Sequence, residues 1–170
     1  MQPAPAISEN GLVTGYASLF GIKDRNNDVV LRGAFKKSLS ERTANDVKFL
    51  FQHDANEPIG TWLDIYEDDK GLRVIGRLIS GVTRAREAFA LIRAGALDGL
   101  SIGFNTKAAR REAGGRLRQL VTLDLWEISL VTFPMLPGAR LTALNESEAP
   151  KRLIENLRRA TRLLTANQGS

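Results

Sequence analysis

Leu123, Leu125, Glu127, Ser129, Val131 and Phe133 occupy every second position of the long run Leu117–Phe133, and Pro134 and Pro137 then stop it. A period of two is the signature of a pleated strand with one face turned to a core. It puts Glu127 and Ser129 on the apolar side. Val47–His53 alternates in the same way, with Val47, Phe49, Phe51 and His53 on one face and Lys48, Leu50 and Gln52 on the other. Gly11–Phe20 and Leu100–Lys107 read as further strands, the latter leading into a Gly114-Gly115 turn. Ile59–Glu67 and Leu72–Ile79 form a hairpin through Asp68-Asp69-Lys70-Gly71, and Gly21–Arg32, rich in Asp and Asn, reads as a loop. Helices are expected over Ala34–Arg42 and Arg84–Arg93, the second with Thr83 as N-cap and Gly95 as stop. The pattern predicts an α+β fold, mainly β: a small closed or nearly closed β-barrel flanked by helices.

Composition removes whole classes of chemistry. The 170 residues include no Cys and a single His, so disulfides, cysteine nucleophiles, thiolate zinc sites and paired-histidine metal motifs are excluded. No apolar run reaches the roughly 18–20 residues of a membrane span, and the first ten residues carry no secretory pattern. Neither a cofactor nor a metal is implied. Of the formal net charge of +5, residues 151–170 supply +4, from Lys151, Arg152, Arg158, Arg159 and Arg162 against Glu155. The rest of the chain is nearly neutral, which argues against a domain that binds nucleic acid. In this tail Leu153, Ile154, Leu157, Ala160 and Leu164 make the apolar stripe of a basic amphipathic helix. The chain divides into a flexible stretch over residues 1–10, a folded domain over 11–144, and a linker with the basic helix over 145–170.

Three side chains could carry chemistry. His53 alone titrates near neutrality and is the obvious general base, although a lone His at a strand end is more commonly just a half-buried surface residue. Ser101 lies in Asp98-Gly99-Leu100-Ser101-Ile102-Gly103-Phe104, where flanking glycines allow a sharp turn or close approach of a substrate main chain. Its hydroxyl becomes a nucleophile if an imidazole removes the proton, and is otherwise an ordinary strand serine beside a bulge. Glu127, on an apolar face, needs a partner: an imidazole to orient, or one of the many arginines.

Five segments together resemble the HK97-type prohead protease family of tailed phages. They are Gly15-Tyr16-Ala17 to Phe20, Asp28-Val29-Val30 to Phe35, Phe51-Gln52-His53-Asp54 to Gly60, Asp98 to Phe104, and Leu125-Trp126-Glu127-Ile128-Ser129-Leu130-Val131-Thr132. Their order and spacing run from about Gly11 to Leu144, leaving the basic tail outside. The family is similar to the herpesvirus assembly proteases, serine proteases on a β-barrel surrounded by helices. The resemblance makes 11–144 a protease domain, Ser101 the nucleophile and His53 the base. The herpesvirus enzymes use a second His as third member, which this chain lacks; by motif Glu127 takes that position, with Asp54 as its competitor.

The implied activity is that of a serine endopeptidase of procapsid maturation. It would cut scaffolding segments from the major capsid protein, and itself, within the assembling procapsid in the host cytoplasm. A homo-oligomer is left open, and membrane and nucleic-acid partners are not implied. Backbone amides near Gly138-Ala139-Arg140 are the expected oxyanion donors. The competing reading is an inactive scaffold or capsid-assembly module that keeps the barrel as a binding platform.

Overall fold

A computed structural model describes residues 6–111 and 114–143. The expected C-terminal helix lies outside them. The elements follow in the order β1 (Leu12–Leu19), β2 (Asp28–Val30), α1 (Lys36–Glu41), β3 (Lys48–Phe51), β4 (Asp54–Glu67), β5 (Gly71–Leu78), α2 (Thr83–Arg93), β6 (Gly99–Arg111) and β7 (Arg118–Val131). All seven strands join one sheet in the order β1-β5-β4-β3-β7-β2, with β6 on the other side of β7.

The sheet curls into a half-barrel. It does not close, so the expected closed or nearly closed barrel is present only as a curled, mainly β sheet. Between its β1 and β6 edges the described residues supply only two isolated bridges, Gly15 with Leu141 and Gly99 with Arg140. A bridge of one residue pair on each side cannot continue the ladder, because Pro134 and Pro137 forbid a long strand just before it. At the N-terminus, Ile7 is fully buried and bridges Val13, so the packed domain takes in residues that the sequence assigned to a flexible arm.

β7 is the organising strand. Its first half pairs in parallel with β2, from Asp28–Arg118 to Val30–Leu120, and its second half in parallel with β3, from Lys48–Glu127 to Phe51–Leu130. Its opposite edge pairs antiparallel with β6 along nearly its whole length. Asp28, almost fully buried, is held by a two-point ion pair with Arg118 at 2.7 and 2.5 Å, which anchors the short β2. Such a short strand inside a loop rich in Asp and Asn escapes the turn-former rule because its pairing partner is remote.

The core shows where strict alternation fails. Leu123, Leu125, Ile128 and Leu130 are all buried in the hydrophobic core, so the phase of β7 changes between Leu125 and Ile128. The cause is a β-bulge: Gly103 of β6 pairs with Glu127 but the next residue, Phe104, pairs with Leu125, leaving Trp126 unopposed and exposed. Glu127 and Ser129 therefore leave the face of Leu125 and turn to the opposite one. On β6 the register does the same sorting: Leu100 and Ile102 oppose Leu130 and Ile128, whereas Ser101 and Gly103 oppose Ser129 and Glu127.

Elsewhere the core is closed by Trp62, stacked on Phe49 with ring centroids 4.0 Å apart, and Gly76 sits opposite because a Cβ there would lie 2.6 Å from the indole. Truncation of Trp62 to Ala is expected to destabilise the fold by about 3–5 kcal/mol, measured as a lower urea midpoint with little change in slope. In α2 the residue before the helix is Val82 and no side chain caps it. Thr83 instead accepts a hydrogen bond from Arg86 at 3.1 Å, while Gly95, at a φ of +72°, follows the helix as its left-handed stop.

Candidate active site

β3 and β4 are joined by Gln52 and His53 alone, at φ values of +54° and +60°. Two successive left-handed residues make the tight hairpin turn whose twist matches the strands, but neither residue is glycine. The strain of such a turn, of order 1–3 kcal/mol per residue, is offset by bonds to the end of β7. Gln52 N–H donates to Leu130 O at 2.9 Å and the His53 N–H to Ser129 Oγ at 3.1 Å. The Gln52 amide donates to Thr132 Oγ1 at 2.7 Å and accepts the Thr132 N–H at 3.3 Å.

This turn corrects the expected placement of His53 on the face of Phe49 and Phe51. Phe49 belongs to the core and Phe51 packs against it. Leaving the strand at Gln52 carries the His53 ring across to the other face, where Glu127 and Ser129 now point. There His53 Nδ1 and Glu127 Oε1 lie 2.5 Å apart, and Ser129 donates its hydroxyl to Glu127 Oε2 at 2.7 Å. Glu127 thus has both oxygens engaged, on a side chain only 14% exposed.

The carboxylate holds the His53 pKa above its ordinary value of 6.5, chiefly through the hydrogen bond, against a smaller lowering effect of burial. His53 therefore binds its proton more tightly folded than unfolded. This contribution to stability is fully present below the unfolded value of 6.5 and is lost as pH rises through the higher folded pKa. Asp54 has a different task. Its Oδ1 accepts Asn56 N–H at 2.8 Å and Asn56 Nδ2 at 3.1 Å, an Asx turn that starts β4.

Ser101, 7% exposed, lines one cleft with His53. The cleft has a volume of about 170 Å³, and its walls include Ile22, Phe104, Met135 and Leu136. The structure thus brings His53 and Glu127 into contact and places Ser101 directly across β6–β7 from Ser129. The glycines beside Ser101 do not turn the backbone; both lie inside β6. Gly99 makes room for the chain after β7, since a Cβ there would meet Val131 O at 2.4 Å and the Pro134 ring at 2.9 Å. Gly103 makes room for Glu127, whose Oε1 would lie 2.2 Å from such a Cβ. Of the suspected oxyanion donors, Ala139 N–H is engaged by Leu136 O at 2.9 Å. Ser129, which lacks the flanking glycines that single out Ser101, is a member of this constellation. Its position two residues from Glu127, on the same face of one strand, was the available signal. Among the described residues no cluster of His, Asp and Glu could hold a metal ion, and no helix is long and apolar enough to cross a membrane.

Residues 3–152 match the family described as Caudovirus prohead serine protease. The chain belongs to that family. The prohead protease of Enterobacteria phage HK97 is 33% identical over 165 residues, covering 94% of this chain and 72% of its relative. The prohead protease of Escherichia phage T5 is 32% identical over 131 residues, covering 75% of this chain and 60% of its relative. Among solved structures the bacteriophage T4 capsid assembly protease superposes with a TM-score of 0.62 at 15% identity, over 79% of this chain and 90% of its own. Varicella-zoster virus protease superposes with a TM-score of 0.55 at 15% identity, over 86% and 75%. These two likenesses establish a shared fold, the curled sheet of the herpesvirus-type proteases. Family membership makes the chain a procapsid maturation protease.

Proposed function

We propose that this prohead protease is a serine endopeptidase with Ser101 as nucleophile, His53 as general base and Glu127 as the group that orients the base. The observation that carries the reading is the 2.5 Å contact between His53 Nδ1 and Glu127 Oε1 beside a cleft that Ser101 also lines. A carboxylate on Nδ1 fixes that nitrogen as the donor and leaves Nε2 as the acceptor, the tautomer a general base requires. Nε2 takes the Ser101 proton as Oγ adds to the scissile carbonyl, and the imidazolium formed is stabilised by Glu127. The proton then passes to the leaving amine, giving an acyl-enzyme, and water reverses the sequence to release the acid. The amides of Gly138 and Arg140 are what the loop beside β6 offers to the oxyanion, since Ala139 is engaged.

The substrates on this reading are the scaffolding segments of the major capsid protein and the protease itself, cut inside the assembling procapsid in the host cytoplasm. A fluorophosphonate probe should label Ser101 in the full chain and lose the label in Ser101→Ala. An unlabelled, fully folded chain would leave a capsid-assembly module without activity. The pH profile provides a second check. Because neutral His53 is the active form and its pKa is raised, the rising limb of kcat/KM should have its midpoint above 6.5. In Glu127→Gln that midpoint should move down towards 6.5, since the carboxylate causes the rise.

A further inference from the structure

We infer that Ser129 is a positioning residue that holds the base and its carboxylate in one frame through a single hydroxyl. The inference rests on the triad reading for its catalytic consequence, but its geometric content stands apart. Ser129 Oγ accepts the His53 backbone N–H at 3.1 Å and donates to Glu127 Oε2 at 2.7 Å. A serine hydroxyl has one proton to give, and here its direction is set. The carboxylate takes the proton, so the oxygen lone pairs face the His53 amide. The side chain is fully buried, so neither bond is exchanged for one to bulk water.

The consequence follows from what each bond restrains. His53 lies on a left-handed backbone that its own Cβ disfavours, and its N–H has no strand neighbour to bond at that point of the turn. The Ser129 bond keeps the base there. Glu127 has a flexible side chain, and the bond to Oε2 leaves Oε1 turned towards His53 Nδ1. Alanine at 129 would release both restraints at once and leave the His53 amide without its acceptor. The neighbouring charges do not substitute for it. Asp28, which lines the same cleft, is paired with Arg118, and Asp24 Oδ1 accepts the N–H groups of Asn26 and Asp28 at 2.8 Å each.

Because His53 is the only histidine of the chain, its ring can be followed without assignment by nuclear magnetic resonance of the intact histidine-labelled protein. In Ser129→Ala the His53 pKa should fall towards that of Glu127→Gln. Probe labelling of Ser101 should slow by about 10–100-fold at saturating probe, with little change in the half-saturating concentration. In a Glu127→Gln background the same substitution should add much less, because the two act through one carboxylate. Ser129→Cys, with nearly the same volume and a weaker donor, should fall between wild type and Ser129→Ala in both readouts; it also decides the matter should the alanine variant unfold. An unchanged His53 titration, or full additivity with Glu127→Gln, would overturn the inference. A wild-type chain that the probe does not label would overturn the triad instead, while the His53 titration still reports on Ser129.

Discussion

Ser101→Ala and His53→Ala should each lower peptide-bond cleavage by on the order of 10⁴–10⁶-fold while leaving the far-ultraviolet circular dichroism unchanged. The expectation of equal losses has a physical basis. A hydroxyl without a base is a poor nucleophile at neutral pH, and a base without a nucleophile has nothing to deprotonate, so either deletion removes the same step. The double variant should consequently be no worse than either single one. His53 is the chain's only imidazole, so no second histidine can take over its task. Ser101 is buried within β6, and Ser101→Ala keeps the backbone pairing with β7 and removes a single oxygen, so the fold should survive. Cleavage of a capsid-protein substrate by either variant within tenfold of wild type would remove that residue from the mechanism.

Gly103→Ala should be the most damaging substitution outside the proposed triad. Its backbone is ordinary extended strand, so an alanine is not strained there and the protein should fold. The new methyl carbon would however lie 2.2 Å from Glu127 Oε1, 2.7 Å from Cδ and 2.8 Å from Cγ. A carboxylate is the mobile end of a flexible side chain, and so it is the carboxylate that must move, away from His53 Nδ1. The expected loss is about 10²–10⁴-fold in kcat, comparable with Glu127→Gln and with the same downward shift of the rising pH limb. Thermal stability should fall by much less than in Trp62→Ala. Wild-type kcat in a folded Gly103→Ala chain would mean that the reaction does not require the carboxylate where it now lies.

Most strands and both helices were legible because their signals are local. Alternating apolar positions found β3 and β7, and strand-forming composition beside turn signals found β1, β5 and β6, all to within a few residues, with Asp68-Asp69-Lys70-Gly71 marking its hairpin. What escaped depends on partners far along the chain. β2 exists because Arg118 waits to pair with Asp28, ninety residues away by separation in sequence. The early start of β4 at Asp54 follows from the two-residue turn before it, which nothing in Gln52-His53 announces, since turns of this kind favour Asn and Gly. The open sheet was missed because strand count does not show whether the first and last edges meet. For the site, the residue types were legible: one imidazole, a serine between glycines, and a carboxylate among apolar neighbours. Their common face was not. Two errors of phase, the unread bulge at Trp126 and the unread turn at His53, happened to cancel, and His53 and Glu127 were expected on apolar faces when both lie on the opposite one.

The dependence of every site residue on β7 also sets a time at which activity can arise. His53 and Glu127 are separated by 74 residues, and His53 is held in its turn by Leu130, Ser129 and Thr132 at the far end of that strand. Parallel pairings such as β3 with β7 need long crossovers and form late in folding. On a ribosome making about 5–20 residues per second, a nascent chain carries both its serine and its imidazole for about 1–5 seconds before Glu127 has been made. On the proposed triad it has no oriented base during that interval, and the newborn chain should be harmless to the polypeptides around it until the strand that completes it has emerged and docked.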